Sequence, residues 1–154
     1  MELRAYKPKD LPYVAQLFHD TVHAINLGDY TRQQVDAWAP AQIDLERWKQ
    51  RLAAEEVVVA ESNGTITGFC SWDTTGYLDF LYVHHAFQRQ GIASALYAAA
   101  EARLRARAIR RIHTQASLTA EAFFMRQNFR IVQRQTVHVR GVDLPNAVME
   151  KLLE

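Results

Sequence analysis

The residues of this 154-residue chain that are best suited to chemistry form a short turn, Gln88-Arg-Gln-Gly-Ile-Ala93. The turn lies between a strand-like segment, Tyr77–His84, and a long alanine-rich segment with the pattern of a helix. The first N–H groups of a helix have no intrahelical partner, and they lie at the positive end of the helix dipole. Gly91 lets the backbone approach an anion closely, and Arg89 adds a positive charge. The turn therefore predicts a phosphate-binding site.

The elements that must hold this turn in place alternate between strands and helices. Apolar residues from Leu11 to Ile25 recur at spacings of three and four, which predicts an amphipathic helix after a first strand at Leu3–Tyr6. Further helices are predicted at 31–38, 44–52, 92–104 and 119–127, and further strands at 57–60, 66–72, 77–84, 112–115, 131–140 and 142–152. Helices between strands, with a hairpin at the end, predict an α+β fold with a mixed sheet.

Length and composition predict one domain over residues 1–154, because 49% apolar content suffices for a single core. The 18 basic and 17 acidic residues nearly balance, so the total charge indicates no nucleic-acid partner. Five arginines between Arg103 and Arg111 predict a solvated helix face, with a polyanion site as the alternative. The single cysteine, Cys70, fits a reducing cytoplasm, and no apolar segment approaches the roughly 20 residues that span a membrane. We therefore expect a cytoplasmic protein without a membrane contact.

The turn resembles the acyl-CoA pyrophosphate loop of the GNAT acetyltransferase family, whose pattern is Gln or Arg, two residues, Gly, one residue, then Gly or Ala. The segment Leu78–His84 resembles the fourth strand of the family. The segment Ala116–Phe129 resembles the region after the fifth strand, with Asn128-Phe129 where relatives usually have Gly-Phe. Asn is the next-best residue for the left-handed conformation that closes a helix. Length and element order extend the resemblance to about the whole chain.

The resemblance implies a central mixed, mostly antiparallel sheet, flanked by helices, whose fourth and fifth strands splay apart to admit acetyl-CoA. Its pyrophosphate would bind the loop residues Gln88, Arg89, Gln90, Gly91, Ile92, Ala93 and Ser94. Its pantetheine arm would bind the backbone of Leu81, Tyr82 and Val83, and Ser117 would contact the arm where many relatives carry Asn. The implied reaction moves an acetyl group to a primary amine, on a small molecule or a peptide, by direct transfer in a ternary complex without a metal. The assembly state, monomer or homodimer, stays open.

Acyl transfer to an amine requires a base for the ammonium, and Asp79 is the first candidate. An Asp inside an apolar strand is unfavourable without a purpose, and many relatives use a carboxylate of this strand. Alternation places four strand residues on one face: Tyr77, Asp79, Leu81 and Val83. A strand-end residue that meets solvent is the alternative. His23 is the second candidate because its ordinary pKa is near neutral, and it shares a helix face with His19. No further ligands lie near the two histidines, so a metal site is not expected.

The other two tasks are to stabilise the oxyanion and to protonate the departing thiolate. The resemblance implies that a backbone N–H near Leu81 or Tyr82 stabilises the oxyanion. Many relatives place a tyrosine acid where this chain has Phe124, which cannot donate a proton. Either Tyr82 or Tyr77 supplies the proton, or the thiolate leaves unaided. The same Phe124 favours an alternative function, a non-catalytic acyl-CoA sensor.

Large aromatic residues indicate where the acceptor binds. In the family, the segments that carry Tyr30, Trp38, Trp72 and Tyr77 form the variable acceptor wall, so we expect these side chains to contact the acceptor. Core packing is the alternative for Tyr30 and Trp38, and it is the preferred interpretation for Trp48. A nucleic-acid-binding module is a further alternative that would depend on the arginine cluster alone.

Overall fold

The computed structural model describes residues 1–154. Seven strands are present: β1 (Glu2–Ala5), β2 (Glu56–Ser62), β3 (Thr65–Trp72), β4 (Leu78–Val83), β5 (Arg111–Ser117), β6 (Arg130–Val139) and β7 (Val142–Leu152). Five helices accompany them: α1 (Leu11–Ala24), α2 (Arg32–Trp38), α3 (Leu45–Ala53), α4 (Ile92–Ala106) and α5 (Glu121–Arg126). Every strand and helix predicted from the sequence is confirmed, and the bounds differ by a few residues at most.

The strands form two antiparallel ladders, β1-β2-β3-β4 and β5-β7-β6. One parallel bridge, between Tyr77 and His113, joins them at the start of β4. Gly76 makes this junction possible, since a Cβ at that position would collide with the carbonyl oxygen of Arg111. Beyond the bridge no ladder connects β4 with β5, so a cleft opens between their edges. The prediction of a mixed, mostly antiparallel sheet with splayed fourth and fifth strands is confirmed.

Two apolar clusters hold the helices against the sheet. On one face, α4 packs against the strands through residues such as Leu96 and Leu104, together with Trp72 of β3. On the other face, Phe18 of α1 and Leu52 of α3 pack against Phe69 and other strand residues. Burial of these side chains is the main favourable term for the fold, at about 25 cal/mol per Å² of apolar surface. The sheet therefore lies between two helical layers, and the cleft opens at its centre.

Local signals in the sequence fold as their chemistry predicts. The Thr31 hydroxyl accepts a hydrogen bond from the Gln34 N–H, and the Gln34 side chain accepts one from the Thr31 N–H, which is a complete capping box. Asn63 and Gly64 have φ values of 51° and 78°, as a type I′ hairpin turn requires. Asn128 has a φ of 70°, so it closes α5 in the left-handed conformation expected of it.

Four of the five arginines in the cluster that begins in the second half of α4 are paired with acidic side chains. Arg103 and Arg107 both pair with Glu56 of β2, Arg105 pairs with Glu101 one helical turn earlier, and Arg111 pairs with Glu150. These arginines lie on an exposed surface, in agreement with the solvated face that was predicted. Their pairing with acids leaves little free positive charge for a polyanion.

Candidate active site

Two cavities open from the cleft between β4 and β5. The larger, of about 470 Å³, lies beside the turn that precedes α4, and we call it the loop cavity. The smaller, of about 360 Å³, lies among the aromatic residues of α1, α2, α3 and the strands, and we call it the aromatic cavity. Four side chains line both cavities: Asp79, Tyr82, Gln115 and Ser117. A ligand in each cavity could therefore meet the other at these four residues.

The turn before α4 presents a row of free backbone donors. Gly91 precedes the helix with a φ of 80°, and its carbonyl accepts the first intrahelical hydrogen bond from the Ala95 N–H. The N–H groups of Ile92, Ala93 and Ser94 come before that bond and have no helical partner. A Cβ at Gly91 would meet no protein atom within 4 Å, so this glycine faces open space. The turn can receive an anion through its backbone.

The other predicted loop residues differ in what they do. The Gln88 side chain donates a hydrogen bond of 2.6 Å to the Val83 carbonyl, so it ties the turn to β4. Arg89 has a left-handed backbone, with a φ of 60°, and it lines the loop cavity. Gln90 is exposed and does not line this cavity, unlike the other residues predicted to bind the cofactor.

The edge of β4 offers backbone groups to the cleft at alternate residues. The N–H groups of Phe80 and His84 point toward β3, where they donate to the Ser71 hydroxyl and the Thr67 carbonyl. Alternation along the strand therefore directs the N–H groups of Leu81 and Val83 toward the cleft, and that of Tyr82 toward β3. Of the two oxyanion donors that the resemblance implied, the Leu81 N–H is the one with access to the loop cavity.

Residues from other elements complete the loop cavity, and the sequence interpretation did not include them. Thr21 of α1 donates to the Val83 carbonyl, and Asn26 donates to the Thr119 hydroxyl across the cavity wall. Arg126, at the end of α5, lines the cavity without an acidic partner within 4 Å. A basic residue in the last turn of a short helix resembles ordinary capping in the sequence, so only its position in space identifies it.

The aromatic cavity is formed around Phe18 of α1. The ring centroid of Phe18 lies 4.9 Å from that of Tyr82, 5.1 Å from that of Trp48 and 6.3 Å from that of Trp38. Tyr30 packs against Trp38 at 5.3 Å, and its hydroxyl is fully used, since it donates to the Pro145 carbonyl and accepts from the Leu118 N–H. Tyr30 and Trp38 are thus both packed and available as wall residues, and Trp48 also lines the cavity.

Trp72 was predicted to contact the acceptor, and its position contradicts that prediction. The side chain is 1% exposed and packs in the cluster with α4, on the opposite face of the sheet from the aromatic cavity. Its place in an alternating strand could not be assigned to one face from the sequence. A bulky aromatic residue with almost no exposed surface contributes to the core and has no contact to offer a ligand.

Asp79 is the extra residue of a β-bulge. In the register of β3 and β4, Ser71 pairs with Phe80 and Trp72 pairs with Leu78, which leaves Asp79 without a partner. The predicted common face of Asp79 and Leu81 is therefore wrong, because the bulge interrupts the alternation. Arg51 of α3 holds the carboxylate with two hydrogen bonds, of 2.6 and 2.8 Å. The bulge directs this carboxylate toward α3, at the junction of the two cavities.

Glu55 is a second carboxyl group beside Asp79. Its Oε1 atom is buried without a hydrogen-bond partner. Burial, followed by the neighbouring Asp79 carboxylate, raises the pKa of Glu55 to about 8. The raised pKa favours the protonated form of Glu55, next to the paired side chains of Asp79 and Arg51. Sequence reasoning did not identify Glu55, since a glutamate just after a helix usually meets solvent.

Replacing Glu55 with glutamine is expected to stabilise the protein at alkaline pH. The pKa of Glu55 is raised from 4.5 to about 8 in the folded protein. Its favourable contribution to the free energy of unfolding is therefore complete below pH 4.5 and is lost as the pH rises through 8. The neutral amide avoids this loss, so the variant should match the wild type near pH 4.5 and exceed it near pH 9 by about 2 kcal/mol, allowing for partial solvent access. Urea unfolding across this range measures the difference. Glu46→Gln, on the exposed side of α3, is the matched control, and parallel profiles for the wild type and Glu55→Gln would contradict the expectation.

The two histidines of α1 differ in their surroundings. Their rings stack with a centroid separation of 4.3 Å, as their spacing predicted. His23 lies 2.7 Å from the Ala39 carbonyl through Nε2 and lines neither cavity. His19 lines the aromatic cavity, and its Nε2 is buried without a partner. The Ala39 carbonyl thus occupies the Nε2 atom of His23, whereas the Nε2 atom of His19 keeps an unused hydrogen-bonding position.

The tyrosines considered as acids both retain their protons. Burial raises the pKa of Tyr77 to about 12 and raises that of Tyr82 as well, and in both cases Asp79 adds to the effect. Tyr82 lines both cavities, whereas Tyr77 lines the aromatic cavity alone. Phe124 lines the wall of the loop cavity and packs against Phe129 at 5.0 Å. Tyr82 is thus the phenol with access to both sides of the cleft.

None of the helices combines the length and apolar composition needed to cross a lipid bilayer. No three His, Cys, Asp or Glu side chains gather into a group that could hold a metal ion.

Comparisons with known proteins agree with this geometry. Residues 26–152 match the family model of the acetyltransferase (GNAT) domain. The uncharacterized N-acetyltransferase YafP of Escherichia coli strain K12 is 35% identical over 149 residues, which are 97% of this chain and 94% of YafP. A GCN5-related N-acetyltransferase from Rhodopseudomonas palustris superimposes with a TM-score of 0.95 at 31% identity, over 99% of this chain and 95% of its own. The protein yncA of Salmonella typhimurium, solved with its cofactor acetyl-CoA, shares the fold with a TM-score of 0.69 at 20% identity, over 100% and 94% of the two chains.

The family model covers most of the chain, and relatives more than 30% identical span nearly all of it. The resemblance first noted in the loop at Gln88–Ala93 is therefore confirmed. The chain belongs to the GNAT family of acetyltransferases, and it is an acetyl-CoA-dependent acyltransferase.

Proposed function

We propose that this protein transfers an acetyl group from acetyl-CoA directly to a primary amine, within a complex that holds both substrates. The observation that carries the proposal is the meeting of the loop cavity and the aromatic cavity at Asp79, Tyr82, Gln115 and Ser117. A thioester in one cavity and an amine in the other would meet there. Direct transfer is favoured over an acyl-enzyme because the single cysteine, Cys70, is fully buried and lines neither cavity.

The loop cavity supports acetyl-CoA as the donor. Free N–H groups of Ile92, Ala93 and Ser94 are suited to the pyrophosphate, and Arg89 and Arg126 bring positive charge without acidic partners. The edge of β4 is suited to the amide groups of pantetheine, since its alternate N–H groups face the cleft. Ser117 lies at the junction of the cavities, where the thioester would be placed.

The junction is suited to two tasks in the aminolysis of a thioester. One is to remove a proton from the ammonium of the acceptor, and the other is to stabilise the oxyanion that forms. The Asp79 carboxylate is the acidic side chain that both cavities share, and each of its oxygens keeps a lone pair beyond its bond to Arg51. We assign it the role of general base for the ammonium of the acceptor. The Leu81 N–H, which faces the loop cavity, is positioned to donate to the developing oxyanion, and such a donor is worth roughly a hundredfold or more in rate.

Tyr82 is the proposed proton donor to the departing thiolate. Its phenol has a pKa raised by burial and lines both cavities, so it is protonated when the thiolate forms. Tyr82→Phe should therefore lower kcat about tenfold or more and leave KM for acetyl-CoA nearly unchanged. Tyr77→Phe is the matched control, since Tyr77 lines the aromatic cavity only. Steady-state kinetics of both variants test the assignment, and equal activity would mean that the thiolate leaves without a side-chain acid.

Free-thiol release from acetyl-CoA, measured over a panel of amines, tests the proposed function itself. Initial-rate lines that intersect when both substrates are varied would support the ternary complex, and parallel lines would contradict it. Tight acetyl-CoA binding without thiol release to any amine of the panel would contradict an amine acceptor.

A further inference from the structure

Arginines without an acidic partner are concentrated at the two cavities. Five arginines have no carboxylate within 4 Å: Arg47, Arg89, Arg110, Arg126 and Arg140. Arg89 and Arg126 line the loop cavity, and Arg47 and Arg140 line the aromatic cavity. Of the five, Arg110 alone lines neither cavity, and the other nine arginines of the chain each pair with an acid. The two in the loop cavity lie where the proposed function places phosphate groups, so the same pattern in the aromatic cavity indicates a second anion.

Arg47 and Arg140 come from different elements of the aromatic cavity. Arg47 belongs to α3, and Arg140 lies in the turn between β6 and β7. Arg140 adopts a φ of 45°, a conformation that a residue with a Cβ rarely takes, and one of its N–H groups donates to the Ala37 carbonyl at 2.7 Å. This bond holds the guanidinium against α2 and leaves its other donors free. Asp44 lines the same cavity, and its side chain accepts a bond from the Arg47 backbone N–H as the cap of α3.

A further part of the aromatic cavity is suited to an ammonium group. Asn146 of β7 pairs in register with Ser117 of β5, so it lies beside the junction of the cavities. Its Oδ1 atom is buried without a hydrogen-bond partner, and the residue lines the aromatic cavity. An unpaired buried carbonyl oxygen is unfavourable until a donor reaches it, and an ammonium N–H is such a donor. Asp79 supplies the negative charge in the same cavity.

Much of the remaining cavity wall is aromatic. Phe18, Trp38 and Trp48 form its apolar surface. We propose, resting on the proposed function, that the acceptor is a primary amine that also carries an anionic group on an apolar or aromatic body. Its ammonium lies at Asn146 and Asp79, and its anion is bound by Arg47 and Arg140.

Three probe amines that differ in one group test this inference. They are 4-(aminomethyl)benzoate, its uncharged analogue 4-(aminomethyl)benzamide, and benzylamine. Charge-assisted hydrogen bonds from two guanidinium groups should give the benzoate a kcat/KM roughly ten- to a hundredfold above that of the benzamide. Arg47→Gln combined with Arg140→Gln should bring this ratio close to one. Lys49→Gln removes an exposed charge of α3 outside the cavity and should keep the ratio.

Quenching of the Trp38 and Trp48 fluorescence measures binding of the same probes independently of turnover. A benzoate-to-benzamide ratio near one in the wild type, or a ratio unchanged in the double variant, would overturn the anion site while leaving acetyl transfer intact. If no amine is acetylated but fluorescence still distinguishes the benzoate through the two arginines, the proposed function fails and the anion site stands.

Discussion

Asp79→Asn is expected to lower kcat/KM at least about a hundredfold, because general-base assistance is typically worth that much or more. The substitution keeps the shape of the side chain and its position in the bulge of β4. It removes the carboxylate that is proposed to accept a proton at the junction of the cavities. Arg51, which is half exposed, loses an ionic partner but remains solvated, so the fold should persist. The acid limb of the pH–rate profile should flatten, since the proposed base is gone.

His23→Gln is the control for this experiment. Its Nε2 atom is occupied by the Ala39 carbonyl and the residue lies outside both cavities, so a weaker effect is expected. His19→Gln adds a second comparison, since His19 lines the aromatic cavity with a free Nε2. If a histidine variant abolishes the acid limb while Asp79→Asn leaves it intact, the base is the histidine and the carboxylate serves to position Arg51.

Gly91→Val should weaken the binding of acetyl-CoA by about a hundredfold or more. The φ of 80° at Gly91 is strained for a β-branched residue, and the new side chain would point into open space at the free N–H groups of α4. A pyrophosphate could then no longer approach the backbone. Titration calorimetry with acetyl-CoA and with CoA measures the loss.

Gly64→Val provides a matched control for backbone strain. Gly64 has a φ of 78° and also faces open space, but it lies in the turn between β2 and β3 and lines neither cavity. Both variants should lose similar stability in thermal unfolding, and only Gly91→Val should lose affinity. Unchanged affinity for acetyl-CoA in Gly91→Val would refute the assignment of the pyrophosphate to this turn.

The sequence alone was sufficient for the features that depend on neighbouring residues. The loop at Gln88–Ala93, the capping box at Thr31, the hairpin turn at Asn63-Gly64 and the closure of α5 at Asn128 each depend on a few consecutive residues, whose backbone preferences are local. The order of strands and helices follows from hydrophobic periodicity in the same way, and the family resemblance then predicted the splayed sheet.

Only the tertiary structure decided which side chains meet at the cleft. The bulge that turns Asp79 toward Arg51 depends on how β3 and β4 align, and it reversed the face predicted from alternation. The same long-range packing placed Trp72 in the core. It also raised the pKa of Glu55, first by burying this carboxyl group and then by bringing it beside Asp79.

The positive charges of the aromatic cavity could likewise not be predicted from the sequence. Arg47 and Arg140 lie far apart in the chain and resemble ordinary surface residues there. The sequence by itself determined the order of strands and helices and the geometry of the turn before α4, because both depend on neighbouring residues. The tertiary structure determined the junction of the two cavities and its chemistry, because burial, pKa and ion pairing depend on residues that come together only when the chain folds.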